Sequence, residues 1–172
     1  MVPDGKTIFC IDQDENLKSV LYSQSADAGT ARKKLRELVG RSWGLSLAPD
    51  GKSLAYATYL GSRYKIYMLR LDAPGSGSAI PFNSSNTYAP AISPDGHWIA
   101  TGTVEWGSPE VYVNSHPSVR VQISSGGGWD GMWSGDGKTV FYRSLTAEID
   151  YQLVVAPNWR VELERKLLAA RP

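Results

Sequence analysis

Ser93-Pro94-Asp95-Gly96-His97-Trp98-Ile99-Ala100 decides how this chain is read, because its first half is written four times. Pro3-Asp4-Gly5-Lys6, Pro49-Asp50-Gly51-Lys52, Pro94-Asp95-Gly96-His97 and Gly135-Asp136-Gly137-Lys138 succeed one another at Asp-to-Asp steps of 46, 45 and 41 residues. Four-stranded propeller blades recur at a period of about 40–50 residues. The motif has a local mechanism. Proline presets φ near −65° at the first turn position, aspartate bonds nearby backbone amides, and glycine takes the left-handed position that closes a hairpin. Asp4, Gly5, Asp50, Gly51, Asp95, Gly96, Asp136 and Gly137 are thus expected to be structural turn residues. Gly135 replaces proline in the fourth copy, which predicts a looser turn there.

The repeat extends beyond the turn. Seven residues before the last three aspartates stands an aromatic, Trp43, Tyr88 or Trp129, and three before them Leu47, Ile92 or Trp133. Four residues after each aspartate comes Ile8, Leu54, Ile99 or Val140, and 16 or 17 after it Val20, Ile66, Val111 or Leu153. Four columns in phase define repeats at about residues 1–42, 43–87, 88–128 and 129–172. In the second repeat the runs 43–48, 53–58, 64–71 and 79–82 read as strands, rich in β-branched and aromatic residues and bounded by turn formers. Loops between the second and third strands are expected at 12–16, 59–63, 104–108 and 145–150. Ala31-Arg32-Lys33-Lys34-Leu35-Arg36-Glu37-Leu38 has helical propensity, yet its place in the repeat predicts an outer strand with a charged edge, and 161–165 reads as the last outer strand. The fold class is therefore all-β: a β-propeller of about four blades of four antiparallel strands. The first blade lacks its inner strand, so the array is expected to be part of a larger propeller, or else to close as an unusually small four-bladed ring or be completed by a second copy. In the latter case Val2, Ile8 and Leu167-Leu168 should lie at the contact.

Composition narrows the functions. The 172 residues are 42% apolar and 20% charged, which suits a folded domain. Eighteen basic against 17 acidic residues leave a net charge of +1, which offers no electrostatic footprint for nucleic acid. No apolar run approaches the length of a membrane-spanning helix, and no export signal is visible, so the compartment stays open between cytoplasm and periplasm. The lone Cys10 sits in the repeat column of Tyr56, Thr101 and Tyr142 and reads as a packed strand residue. His97 and His116 read as exposed and have no nucleophile in a motif context, so neither a catalytic set nor a metal or cofactor site is implied. Asp12-Gln13-Asp14-Glu15-Asn16 begins like a calcium loop but has Leu17 and Ser23 where glycine and glutamate are required, and reads as a hairpin tip. Gly126-Gly127-Gly128 leads into a strand, unlike a phosphate-binding loop.

The run Ser93 to Ala100, with the pairs Ile66-Tyr67 and Val111-Tyr112, resembles the repeat of TolB-type β-propellers over nearly the whole chain. The segment from Glu110 through Val121-Gln122-Ile123-Ser124-Ser125-Gly126-Gly127-Gly128-Trp129 to Ser144 is similar to the last blades of propellers attached to bacterial receptor-like Ser/Thr kinases and regulators. The resemblance implies a sensor or interaction module and says little about the ligand. Trp43, Tyr88 and Trp129 share one position at the start of the innermost strand, where aromatics could stack on a sugar or grip a peptide, or else fill space between blades. The function expected is a non-catalytic binding or sensor module for a protein, peptide or small ligand. The alternative is the propeller portion of a larger enzyme, such as a prolyl-oligopeptidase-type serine peptidase, whose catalytic residues lie elsewhere.

Overall fold

The computed structural model describes residues 5–27, 29–72, 80–82, 86–105, 107–115, 119–145, 151–157 and 159. Among the described residues all fourteen elements are strands, in four antiparallel sheets. β1 (Thr7–Gln13), β2 (Ser19–Ser25) and β3 (Lys33–Glu37) form the first. β4 (Arg41–Leu47), β5 (Ser53–Leu60), β6 (Arg63–Arg70) and β7 (Ile80–Phe82) form the second. β8 (Thr87–Ile92), β9 (Ile99–Glu105), β10 (Ser108–Ser115) and β11 (Val119–Gln122) form the third, and β12 (Trp129–Trp133), β13 (Thr139–Leu145) and β14 (Tyr151–Pro157) the fourth. Each sheet is a meander in chain order, so every pairing is between sequence neighbours. The chain divides into two compact units, residues 1–88 and 89–172, with two sheets each.

Residues 33–37 are strand, as the repeat requires and against their helical propensity; β3 pairs with β2 and turns its lysines and Glu37 to solvent. The hairpins are tighter than expected. Asp12 and Gln13 belong to β1, Tyr59 and Leu60 to β5, and Val104 to β9, so the second strands run further before the chain reverses. A register of one strand on the next across 53–60 and 63–70 leaves only two residues, Gly61 and Ser62, in the turn. The proposed outer strand at 161–165 and the residues Asp4, Val2, His116, Leu167 and Leu168 lie outside the described residues.

The Asp-Gly turns close as their chemistry dictates. In the second repeat the Gly51 amide donates to Ala48 O at 2.9 Å and the Lys52 amide to Asp50 Oδ1 at 2.9 Å. In the third the Ser93 hydroxyl adds to this by donating to Asp95 Oδ1 at 2.6 Å while accepting the Trp98 amide at 2.9 Å. The fourth turn repeats that set through Ser134, Asp136 and Thr139, so Gly135 does not loosen it: the closing bonds come from serine and aspartate, and proline only restricts the approach. Gly5, Gly51, Gly96 and Gly137 all have φ between +67° and +76°.

In the first unit β4 packs against β1 and β2, and the core between the two sheets is Leu21, Leu54, Tyr56, Tyr67 and Leu69. Tyr56 and Tyr67 stack at 5.7 Å, and burial pushes the Tyr56 hydroxyl above its ordinary pKa. In the second unit β12 packs on β9 and β10 around Ala100, Val111, Val113, Val121, Val140, Tyr142 and Trp159. Trp159 is 2% exposed, meets the edges of Trp98 and Trp133, and donates its indole N–H to Gly137 O at 3.1 Å. The repeat columns are the buried ones: Leu54, Ile99 and Val140, then Val20, Ile66 and Val111. Ile8 departs from its column with 37% exposure, on β1 at the edge of a sheet where the others carry β4, β8 or β12. Cys10 is half-buried opposite Tyr22.

Candidate functional site

Each repeat-position aromatic is followed by a left-handed residue. Gly44 has φ +52°, Ala89 +48° and Asp130 +50°. The ladder slips at that point in the second sheet, between Trp43 and Leu45, and in the fourth, between Trp129 and Met132. In these two sheets the innermost strand is thus bulged directly after its aromatic. Glycine adopts this backbone freely, whereas Ala89 and Asp130 hold it at a cost of about 1–3 kcal/mol each. Asp130 gains an ion pair with Arg143 across the bulge.

The chain approaching the aromatic is anchored from the preceding sheet. Ser19 Oγ, at the head of β2, accepts the Ser42 amide at 2.8 Å. Asn86 Oδ1 accepts the Tyr64 amide at 3.3 Å, at the head of β6. In the second unit Glu110, on β10, accepts the Gly127 amide at 3.0 Å and the Ser124 hydroxyl, while Ser124 Oγ accepts the Val111 amide at 2.7 Å. The three glycines are therefore a clasped connection into β12. The nearby Glu110 charge and burial together hold the Tyr142 hydroxyl above its ordinary pKa, burial being the larger cause.

The three aromatics meet different fates. In the first unit Trp43 and Tyr88 both pack on Tyr64, at 5.5 and 5.6 Å between ring centroids, and Tyr59 joins them at 5.2 Å from Tyr64. Tyr88 is buried within this cluster, 8% exposed. Trp43 is half-buried and, with Tyr59 and Tyr64, walls a surface cleft of about 520 Å³ that Gln13, Arg41 and Ser42 complete. Trp129, in the second unit, is half-buried at its bulge. Sequence reasoning found Trp43 but not Tyr59, Tyr64 or Arg41, which come from the β5–β6 hairpin and the first residue of β4. Their signal was the Tyr59/Tyr64 pair flanking the turn, facing each other across the ladder.

A second cleft of about 600 Å³ adjoins the first through Gln13 and Arg41, between the β1–β2 hairpin and the β3–β4 connection. The β1–β2 tip is closed on itself: Asp14 Oδ1 accepts the amides of Asn16 at 2.9 Å and Lys18 at 3.0 Å, and Asp12 pairs with Arg32 at 2.5 Å. The Asp12 and Asp14 carboxylates are thus spent on the turn and on neighbouring cations, whereas Glu15 is exposed. His97 is exposed in its turn. Among the described residues no group of three or more His, Cys, Asp or Glu side chains is arranged to hold a metal ion, and no helix is long and apolar enough to cross a membrane.

No family model matches the chain, and no curated protein is similar to it in sequence. Solved structures are. TolB from Acinetobacter baumannii superposes with a TM-score of 0.75 at 20% identity, over 91% of this chain and 39% of that protein. TolB from Agrobacterium tumefaciens gives 0.78 at 23% identity, over 90% and 58%. A prolyl endopeptidase gives 0.57 at 16%, over 87% and 28%. The chain spans about two-fifths to three-fifths of the length of the two TolB structures. Four meandering sheets, three of them with a repeated aromatic near the start of the inner strand and the first with a charged outer edge at β3, are the blades of a β-propeller like that of TolB.

Proposed function

We propose that the chain is a non-catalytic binding module whose ligand is a protein or peptide, gripped at the loop end of its blades. The observation that carries this reading is the cluster of Trp43, Tyr59 and Tyr64 walling an accessible cleft, held in place by the anchored start of β4. Aromatic side chains provide large contact area with few rotatable bonds, so they bind at low entropic cost. The resemblance to sensor propellers attached to kinases supports the same reading. The likeness to a prolyl endopeptidase favours a second one, in which this propeller serves a peptidase and the reacting groups lie on another domain.

The test is selection of a random peptide library on the immobilised chain, repeated with Trp43→Ala. Retention of a family of peptides by the wild type and its loss with Trp43→Ala is the expected result. A library that leaves no enriched peptide, or peptides retained equally by Trp43→Ala, refutes the proposal. Cleavage of the peptides by the isolated chain would overturn its non-catalytic part.

A further inference from the structure

We infer that the loop end of the first unit is a docking surface for an extended acidic peptide that also presents apolar side chains. The inference rests on the binding reading above and adds the chemistry of the ligand. Seven large apolar side chains are exposed among the described residues, and four of them belong to this end: Leu17 at 76% lines one cleft and Tyr59 at 42% the other, while Val39 at 41% precedes the cleft-lining Gly40 and Leu60 at 39% follows Tyr59. Leu60 Cδ1 lies only 3.5 Å from the position a Cβ on Gly40 would occupy, so the β5–β6 tip leans on the β3–β4 connection. Single exposed apolar residues are ordinary, but a concentration of them at one end of a unit marks a contact surface.

The charges at this end are unevenly satisfied. Glu37 pairs with Lys18 at 3.1 Å and Lys34 at 3.5 Å, Asp14 lies 4.0 Å from Lys34, and Asp12 holds Arg32. Arg41 and Arg63 enter no ion pair among the described residues. Apart from Glu15 at the hairpin tip, the acidic groups here are therefore engaged, while the guanidinium forks of Arg41 and Arg63 remain open, and a guanidinium fork is matched by a carboxylate. Arg41 stands where the clefts of about 600 and 520 Å³ meet, so a ligand lying along both passes over it. Two joined open troughs suit an extended chain better than a compact molecule, which binds in an enclosed cavity. Aliphatic Leu17, Val39 and Leu60 suit apolar side chains, whereas a sugar would call for aromatic platforms along the whole trough. Arg41 and Arg63, even with Lys65 beside Tyr64, are too few cations to follow a nucleic-acid backbone.

Fluorescence anisotropy on the intact chain decides the matter, with a labelled ten-residue Glu–Leu peptide, its Gln–Leu and Lys–Leu counterparts, and trigalacturonate as competitor. The Glu–Leu peptide is expected to bind about tenfold more tightly than the Gln–Leu peptide, the difference one good charge contact makes, and to weaken as salt rises. Arg41→Gln and Leu17→Glu should each lower its affinity by about tenfold with unchanged circular dichroism, while Met132→Ser, exposed in the other unit, should not. Equal binding of the three peptides, or indifference to Arg41→Gln and Leu17→Glu, overturns the inference but leaves the binding reading intact if the library selection has succeeded. Trigalacturonate displacing the peptide at lower concentration than unlabelled Glu–Leu also overturns it, in favour of an acidic sugar. Absence of any peptide binding here and in the selection overturns both.

Discussion

Replacing Gly40 by alanine is expected to destabilise the first unit by about 2–3 kcal/mol, and replacing Gly61 by about 1 kcal/mol, although the two glycines share one backbone conformation. Their φ angles are +64° and +66°. The cost of a left-handed alanine is thus common to both, as is the reduced freedom of the unfolded chain. The surroundings differ. Around Gly61 nothing lies within 4 Å of an added Cβ, whereas at Gly40 it would stand 2.7 Å from both Thr58 Oγ1 and the Tyr59 carbonyl oxygen. The carbonyl belongs to the β5 ladder and cannot retreat. Thr58 is fully buried and its hydroxyl donates to Val39 O at 2.6 Å. Moving it gives up a hydrogen bond of about 1 kcal/mol net and leaves a buried donor unsatisfied. Urea unfolding of the two variants, compared by midpoint at constant slope, measures the difference directly. Equal destabilisation by the two substitutions would refute the argument that close backbone approach, and not φ alone, selects glycine at position 40.

Gly135→Pro restores the residue of the other turns, and should stabilise by about 0.4–1 kcal/mol in thermal or urea unfolding, because the turn is already closed by Ser134 and Asp136. Gly51→Ala and Gly96→Ala, at φ +67° and +76°, should each destabilise by about 1 kcal/mol in the same assay. The Asp136 carboxyl is held below the ordinary aspartate range by the Ser134 hydroxyl and the Lys138 amide, and those of Asp12, Asp72 and Glu37 below their ordinary range by Arg32, Arg70 and Lys18. Such groups favour the folded state fully above the unfolded carboxylate pKa, and the contribution is lost as pH falls through the depressed folded value. Acid unfolding followed by circular dichroism should therefore be less steep in Asp136→Asn, and an unchanged acid limb would count against the turn carboxylate.

Strand positions were legible because the repeat supplies several independent readings of each. That is why Lys33–Glu37 could be placed as strand against its propensity: one local preference of tenths of a kcal/mol per residue is outweighed by pairing with β2. The Asp-Gly turns were legible for the same reason, since Asp50, Asp95 and Asp136 each bond the amide two residues on. The candidate site was legible only at Trp43. Tyr59, Tyr64 and Arg41 vary from repeat to repeat, and a search for columns passes over what makes one blade unlike its neighbours. Nor does any sequence rule place alanine in a left-handed conformation, so the backbone of Ala89 stayed hidden. The clasp of Glu110 on Gly127 joins residues that pattern alone leaves on separate elements.

The bulge behind Trp43 divides β4 into two mechanically separate halves. Ahead of it lie Arg41, Ser42 and Trp43, behind it Leu45 and Leu47, which pack into the core. Without the extra residue, a change of one position at the loop end would be transmitted down the ladder and turn Leu47 to the wrong face. With it, slack at the mouth is taken up before it reaches the hydrophobic layer. Insertions and exchanges ahead of Gly44 are thereby insulated from the scaffold, and related blades can vary at that end while keeping the same interior.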